Sequence, residues 1–233
     1  MKSLLLLHFR ARPGRAAELL GLLPEWAREW CGRLHGQSFE ATVMSAHEED
    51  LFRRAGDGSA APGFDASLEI ELEDSDAGAS FEALSDEAGS RFEAFVQPEL
   101  SVAQVGVRKA FRPCEPTAIR YQYCMKRRDD FTPDAYLRYY GEEHSKFGLM
   151  MEGVQGYSQI HLDPEATASA IRLSGFSFRH FDSVSILHLA SVEELIEAGR
   201  SNAVSGFAED EEKFVDRAQS IMWISDEVFR LKA

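Results

Sequence analysis

Between Ile119 and His188 the chain gathers most of its candidate acid–base and hydrogen-bonding aromatic side chains. Tyr136, Tyr140 and His144 recur every four residues, the interval that places side chains on one stripe of a helix. Tyr157, Gln159 and His161 recur every two residues, the interval that places them on one face of a strand. An imidazole titrates near neutral pH without help from a metal. A phenol can donate a hydrogen bond to an oxyanion or enolate as it forms. The pattern therefore points to proton transfer on a small molecule. His161 is the candidate acid or base, Tyr157 the oxyanion donor, His144 a second acid or base, and Asp182 the group that orients a histidine. The Cβ atoms of Tyr157 and His161 would stand about 7 Å apart, room for a small ligand between them. Tyr136, Tyr140, Gln159, Arg179 and His180 are the candidate ligand contacts.

Each residue also has a plain structural reading. His144 is either a hydrogen-bonded histidine packed under a sheet or an imidazole at a pocket mouth. Asp182 is either that orienting carboxylate or a turn cap. Arg179 and His180 either meet a ligand anion or sit in a solvated loop. His188 precedes a helix start and reads as local structure.

The elements that must hold these groups follow from periodicity. Ser3 to Phe9 is an apolar run short enough for a central strand. Pro13 suits the first turn of a helix, and Leu19, Leu22, Leu23, Trp26 and Trp30 give it an apolar stripe to about Leu34. Phe39 to Ala46 and Phe64 to Leu72 read as strands around a polar loop, 48–63. Ser80 to Val96 is helical and stops before Pro98. Ser101 to Arg112 is a fourth strand. Pro113 and Pro116 bracket a linker.

The order then restarts. Ile119 to Lys126 is a strand, and Thr132-Pro133 caps a helix that runs to about Phe147. Strands follow at Gly153 to His161, Asp182 to His188 and Ala218 to Phe229. A helix is expected at Val192 to Phe207, and a long connection with some helix at Asp163 to His180. Phe64-Asp65-Ala66-Ser67 and Phe95-Val96-Gln97 have counterparts in Phe181-Asp182-Ser183 and Phe214-Val215-Asp216 at nearly constant spacing.

The pattern is α+β. It gives two tandem ferredoxin-like βαββαβ halves, 1–113 and 117–233, each a four-stranded antiparallel sheet with helices on one face. The open faces need cover, and pressing them together makes one barrel. Val154, Gly156, Ser158 and Ile160 would then meet the helices. Tyr157, Gln159 and His161 would line the interior, in a pocket closed by the 163–180 connection, with the first half as apolar wall. Exposed strand edges at the end of each half would favour a homodimer.

Composition narrows the partners. The chain has 233 residues, 44% hydrophobic, with a net charge of −14. That balance argues against nucleic acid and anionic membranes. Leu4 to Leu7 is too short for a signal-peptide core and is followed by Arg10 and Arg12. Three widely spaced cysteines, Cys31, Cys114 and Cys124, fit no disulfide framework, so the expected location is cytoplasmic. No histidine or cysteine pair has metal-ligand spacing, and no phosphate or dinucleotide loop occurs, so the expectation is no metal and no cofactor. Glu209 to Glu212 reads as a solvated charge run.

The second half resembles the EthD family of the dimeric α+β barrel superfamily. The likeness rests on Lys126-Arg127-Arg128-x-x-Phe131-Thr132, on Phe131, Tyr136, Tyr139, Tyr140 and His144, on Gly156-Tyr157-x-Gln159-x-His161, on Phe181-Asp182 and on Phe214-Val215-Asp216. Ser145-Lys146 stands where the family often has Ala-Pro, and the first half lacks the tyrosine and histidine pattern. The resemblance implies a small hydrophobic ligand in a barrel pocket, often aromatic or polyketide-like. Relatives include decarboxylases, cyclases, isomerases and proteins of monooxygenase pathways. Haem is bound by some members of the superfamily, but no residue here identifies an axial ligand. Two classes of function follow: a cofactor-independent lyase, cyclase or isomerase, or a non-catalytic binding protein serving a partner oxidoreductase.

Overall fold

The computed structural model describes residues 2–34, 38–52, 63–73, 77–115, 117–203 and 206–232. Pro116 and most of the 48–63 loop lie outside the described residues. Eight strands form: β1 (Ser3–Phe9), β2 (Phe39–Ala46), β3 (Ala66–Leu72), β4 (Val102–Arg112), β5 (Ile119–Arg127), β6 (Gly156–Leu162), β7 (Ser183–Leu189) and β8 (Val215–Lys232). All neighbouring pairs are antiparallel, and the order β1-β3-β2-β8-β5-β7-β6-β4 closes on itself as one barrel. The fold class expected from the sequence, antiparallel α+β with a shared barrel, is the one observed. The edges of the two four-strand sets pair within the chain, β2 with β8 and β4 with β6. Among the described strands, the edges that motivated the expected homodimer are therefore paired within the chain.

The helices are α1 (Ala16–Arg33), α2 (Ala77–Phe92), α3 (Pro133–Tyr139), α4 (Ser145–Met150), α5 (Pro164–Ser174), α6 (Val192–Ala203) and α7 (Phe207–Glu211). Pro13 does not open α1. It occupies the second position of a turn with Gly14 at φ 76° and a hydrogen bond from the Arg15 N–H to the Arg12 carbonyl (2.9 Å). Pro followed by a left-handed Gly suits a type II turn, which delays the helix to Ala16. Thr132 caps α3 as expected, its hydroxyl accepting from the Ala135 N–H.

Strand alternation sorts side chains to two faces. Leu4, Leu6, Met44, Cys124, Ile160, Leu162, Val184, Ile186 and Trp223 meet across the barrel as its interior core. On the outside, Leu5, Leu7, Val43, Leu68 and Ile70 pack against Leu19, Leu23, Trp26, Phe81 and Phe92 of α1 and α2. Helix α5 packs on α2 and β4. The 163–180 connection thus packs mainly on the first four strands; it also borders a groove with Lys126, Arg127, Leu137 and Leu162.

Toward one end the interior positions carry charge. Arg120 donates to Glu69 (3.0 Å) and Glu227 (3.0 Å), and Arg108 donates to Glu69 (2.6 Å) and to Glu71. Arg120 and Glu69 are each only 3% exposed. Burial would raise the Glu69 pKa, but the guanidiniums of Arg120 and Arg108 hold it down at about 2. Removing one member of such a network strands the others. Glu69→Ala is expected to destabilise the fold by about 3–5 kcal/mol, read by urea unfolding. A loss below about 1 kcal/mol would mean that water already compensates these charges.

Candidate functional site

The outer face of β5, β6 and β7 is covered by α3, α4, α6 and α7, and the cover leaves a gap. A cavity of about 190 Å³ lies there, lined by Tyr121, Tyr123, Tyr140, His144, Tyr157 and Glu211 among apolar neighbours that include Met151, Leu187 and Phe207. Phe52 is the one described residue of the first four strands and their connections that reaches it. The apolar wall expected from the first half is therefore reduced to a single ring, tilted against Tyr121 with ring centroids 5.6 Å apart.

Tyr157, Gln159 and His161 face these helices and not the barrel interior. The opposite face of β6 carries Ile160 and Leu162 into the interior core. The expected facing is reversed because Ile160 and Leu162 complete the interior core with Leu4, Leu6 and Trp223, which leaves Tyr157, Gln159 and His161 to the helical side. Gln159 occupies the space foreseen for a ligand between Tyr157 and His161. Its Nε2 donates to the Tyr140 carbonyl (2.9 Å) and to the Tyr157 hydroxyl oxygen (2.6 Å). A carbonyl only accepts, so this bond sets the amide's orientation. Gln159 Oε1 then faces His161 Nε2 at 2.8 Å, and that nitrogen carries the proton. His161 is stacked on Tyr140 (5.7 Å), does not line the cavity, and has its pKa lowered to about 4 by burial and by nearby Lys109. Tyr157 lines the cavity with its oxygen already accepting, and its own proton is left to donate.

The Tyr140 carbonyl that Gln159 binds lies where the helix changes pitch. Tyr140–His144 is a π-helical turn between α3 and α4, which interrupts the ordinary i to i+4 ladder. Gly148 of α4 faces the Tyr157 ring. A Cβ there would stand 2.5 Å from Tyr157 Cε1, so only glycine lets the ring lie against the helix.

His144 leaves the π turn pointing at the cavity, 5% exposed. Its Nδ1 is bonded to Asp210 Oδ2 at 2.9 Å. Asp210 also accepts from Tyr139 (2.7 Å) and Lys213 (3.0 Å) at Oδ1. These hydrogen bonds outweigh the effect of burial and lower the Asp210 pKa. Burial lowers the His144 pKa despite Asp210, so the ring is neutral at pH 7 with its proton on Nδ1 and Nε2 free to accept. The Tyr123 and Tyr140 hydroxyls are buried without a hydrogen-bond partner among the described residues. Glu211 lies near the first, and Ser185 and Tyr157 near the second. Burial raises the pKa of both phenols, and that of Tyr157 to about 12, so all three stay protonated donors.

The other expected site residues are elsewhere. Asp182 orients no histidine: it pairs with Lys126 (3.2 Å) and Arg127 (3.0 Å) and accepts the Arg127 N–H. That is a strand-end cap. Tyr136 is buried under α3, bonded to Ser183 at 2.7 Å, outside the cavity. His180 is exposed in a separate groove beside Asp182, and Arg179 donates to the Ala218 carbonyl (3.4 Å). Asp210 and Glu211 were the residues hidden in the expected charge run. Both are 5% exposed. The signal was present: Phe207, Asp210, Glu211 and Phe214 recur at helical spacing, with aromatics bracketing the acids.

Among the described residues no group of three or more His, Cys, Asp or Glu side chains could hold a metal ion, and no helix is long and apolar enough to cross a membrane. A haem does not fit the site as built. The cavity is too small for a macrocycle, and the imidazole is hemmed by Phe207 (5.2 Å) and Phe214 (4.8 Å).

An antiparallel barrel with helices over its outer face and a cavity beneath them is the architecture of the dimeric α+β barrel proteins. Residues 128–218, which include His144, Tyr157 and Asp210, match the family model described as the EthD domain. The chain is similar in fold to an anthrone oxidase-like protein (TM-score 0.63, 10% identity, covering 100% of this chain and 93% of that one). It is also similar to a mutant chlorite dismutase from Candidatus Nitrospira defluvii (0.53, 9%, 98% and 91%) and to a proposed monooxygenase from Lactobacillus acidophilus (0.52, 8%, 99% and 96%). No curated protein matches the sequence significantly.

Two outcomes test this geometry. Gly148→Ala must push the Tyr157 ring off Gln159, and is expected to destabilise by about 1–3 kcal/mol, read by urea unfolding. An unchanged midpoint would contradict the contact. Separately, His8, His161 and His188 each have a folded pKa near 4 against 6.5 in the unfolded chain. The unfolded state therefore binds more protons between those values, so stability is full above pH 6.5 and falls as the pH drops toward 4. Unfolding free energies measured from pH 7 to pH 4.5 should show that decline, and a flat profile would rule out buried neutral histidines.

Proposed function

We propose that the cavity beneath α3, α4 and α6 binds a small, largely apolar aromatic or polyketide-like molecule, and that His144 and Tyr157 transfer and stabilise charge on it. The reading is a cofactor-independent lyase, cyclase or isomerase. The observation that carries it is the Asp210–His144 pair opening onto an apolar cavity with four protonated phenols, those of Tyr121, Tyr123, Tyr140 and Tyr157. His144 Nε2 takes a proton from the bound molecule, and Asp210 stabilises the imidazolium that results. The Tyr157 O–H, oriented by Gln159, donates to the oxygen on which charge develops, with Tyr140 beside it. The same proton returns from Nε2 to a second atom of the ligand or to the departing group. His161 acts through Gln159 as a positioning residue, not as the base. The anthrone oxidase-like neighbour accords with an aromatic ligand, though its likeness is one of fold. Taking 1–113 and 117–233 as two halves is part of the proposal, since every residue given a chemical role falls in the second.

The apolar lining also favours a second reading, a carrier that shields such a molecule without changing it. One experiment separates the two. Ligands co-purifying with the native protein are identified by mass spectrometry, and each is incubated with wild type, His144→Gln, Asp210→Asn and Tyr157→Phe. The enzyme reading expects about 10²–10⁴-fold slower turnover in His144→Gln with binding retained. Binding without turnover in the wild type leaves the carrier. Turnover undiminished in His144→Gln sinks the proposed chemistry.

A further inference from the structure

A second cavity of about 210 Å³ opens at the charged end of the barrel, on the interior face of the sheet, lined by Thr42, Arg108, Arg112, Arg120, Ser158 and Arg230 together with Glu40, Glu69 and Glu71. Its lining holds four arginines against three glutamates. Most of these charges answer one another. Arg108 is shared between Glu69 and Glu71, Arg120 between Glu69 and Glu227, and Arg230 between Glu227 and Glu40.

Two basic groups are left over. Arg112 has no carboxylate partner among the described residues; its guanidinium donates only to the carbonyls of Leu149, Met151 (3.1 Å) and Val154 (2.6 Å). Arg120 is 3% exposed, and its Nε–H is buried without a partner. A buried donor of a charged group left unsatisfied is costly, and an anion is the partner that would offset it best. Thr42 and Ser158, each 4% exposed, add hydroxyls to the same wall. The field inside has the sign this requires. His188 lines the cavity, and burial lowers its pKa to about 4, helped by three arginines against one glutamate.

We propose that the barrel mouth is a binding site for a small oxyanion, a carboxylate or a phosphate-type group, seated against Arg120 Nε and Arg112. The side chains at the rim leave it reachable, since Arg230 is 26% and Arg108 16% exposed.

The Arg120 Nε–H resonance, assigned by through-bond correlation in ¹⁵N-labelled protein, reports the site directly. Acetate and inorganic phosphate are the probes, with chloride at matched ionic strength as control. The expected result is a saturable shift with acetate, phosphate or both, the selective response identifying the group. Arg112→Gln, checked for native dispersion in the same spectra, should weaken that binding about tenfold, the equivalent of one charge-assisted hydrogen bond. Saturation that is absent or equal for all three anions overturns the proposal, as does an unchanged affinity in Arg112→Gln. The measurement is made with the apolar cavity empty, so its outcome is independent of the function proposed there.

Discussion

Closure of the sheet is the constraint on which everything else depends. Once β2 pairs with β8 and β4 with β6, no edge remains among the described strands, and every side chain must face either a closed interior or an outer surface that needs helices. The interior is narrow enough to be filled by side chains, and it divides along its length. Trp223, Met44, Leu4 and Leu6 fill the apolar part. The charged part is lined by arginine and glutamate pairs around the cavity at its mouth. A network of that kind adds little net stability but tolerates no gap, because each charge lost leaves a neighbour stranded.

The outer surface shows what the two sets of four strands do differently. Over β1 to β4, α1 and α2 supply Leu23, Trp26, Phe81 and Phe92, and the layer packs without a comparable cavity. Over β5 to β7 the helical cover is broken into α3, a π turn and α4, and the sheet presents Tyr121, Tyr123 and Tyr157. Phenols bring apolar area and a hydroxyl that must find a partner when buried. The hydroxyls of Tyr123 on the sheet and Tyr140 on the π turn have none among the described residues, so this layer keeps polar capacity that its own packing does not use.

Strand positions, the Thr132-Pro133 helix start and the barrel itself were legible because each rests on local periodicity or on the need to cover an apolar face. Facing was not. Ile160 and Tyr157 alternate whichever way β6 turns, and the choice depends on what lies across the barrel, which only Leu4, Leu6 and Trp223 of distant strands determine. The partner of His144 was hidden for a different reason. Asp182 stood beside a strand of the site and looked like an orienter, while Asp210 stood in an acidic run that reads as solvent-facing. What brings Asp210 inward is the pair of phenylalanines around it, Phe207 and Phe214, both in contact with the His144 ring.

The π turn links backbone to chemistry in this domain. It begins at Tyr140, and the carbonyl of that residue accepts from the Gln159 amide. With its nitrogen committed there, Gln159 must present its oxygen to His161 and its second N–H to Tyr157. One backbone carbonyl thus selects the tautomer of one histidine and forces a phenol to act as donor toward the cavity. The π turn also carries His144 to the same cavity, where Asp210 sets the tautomer of the second histidine from the opposite side. Without that carbonyl contact the Gln159 amide could turn over, and Tyr157 would be free to accept as readily as to donate. The polarity of the site is therefore set from one carbonyl of the π turn before any ligand enters it.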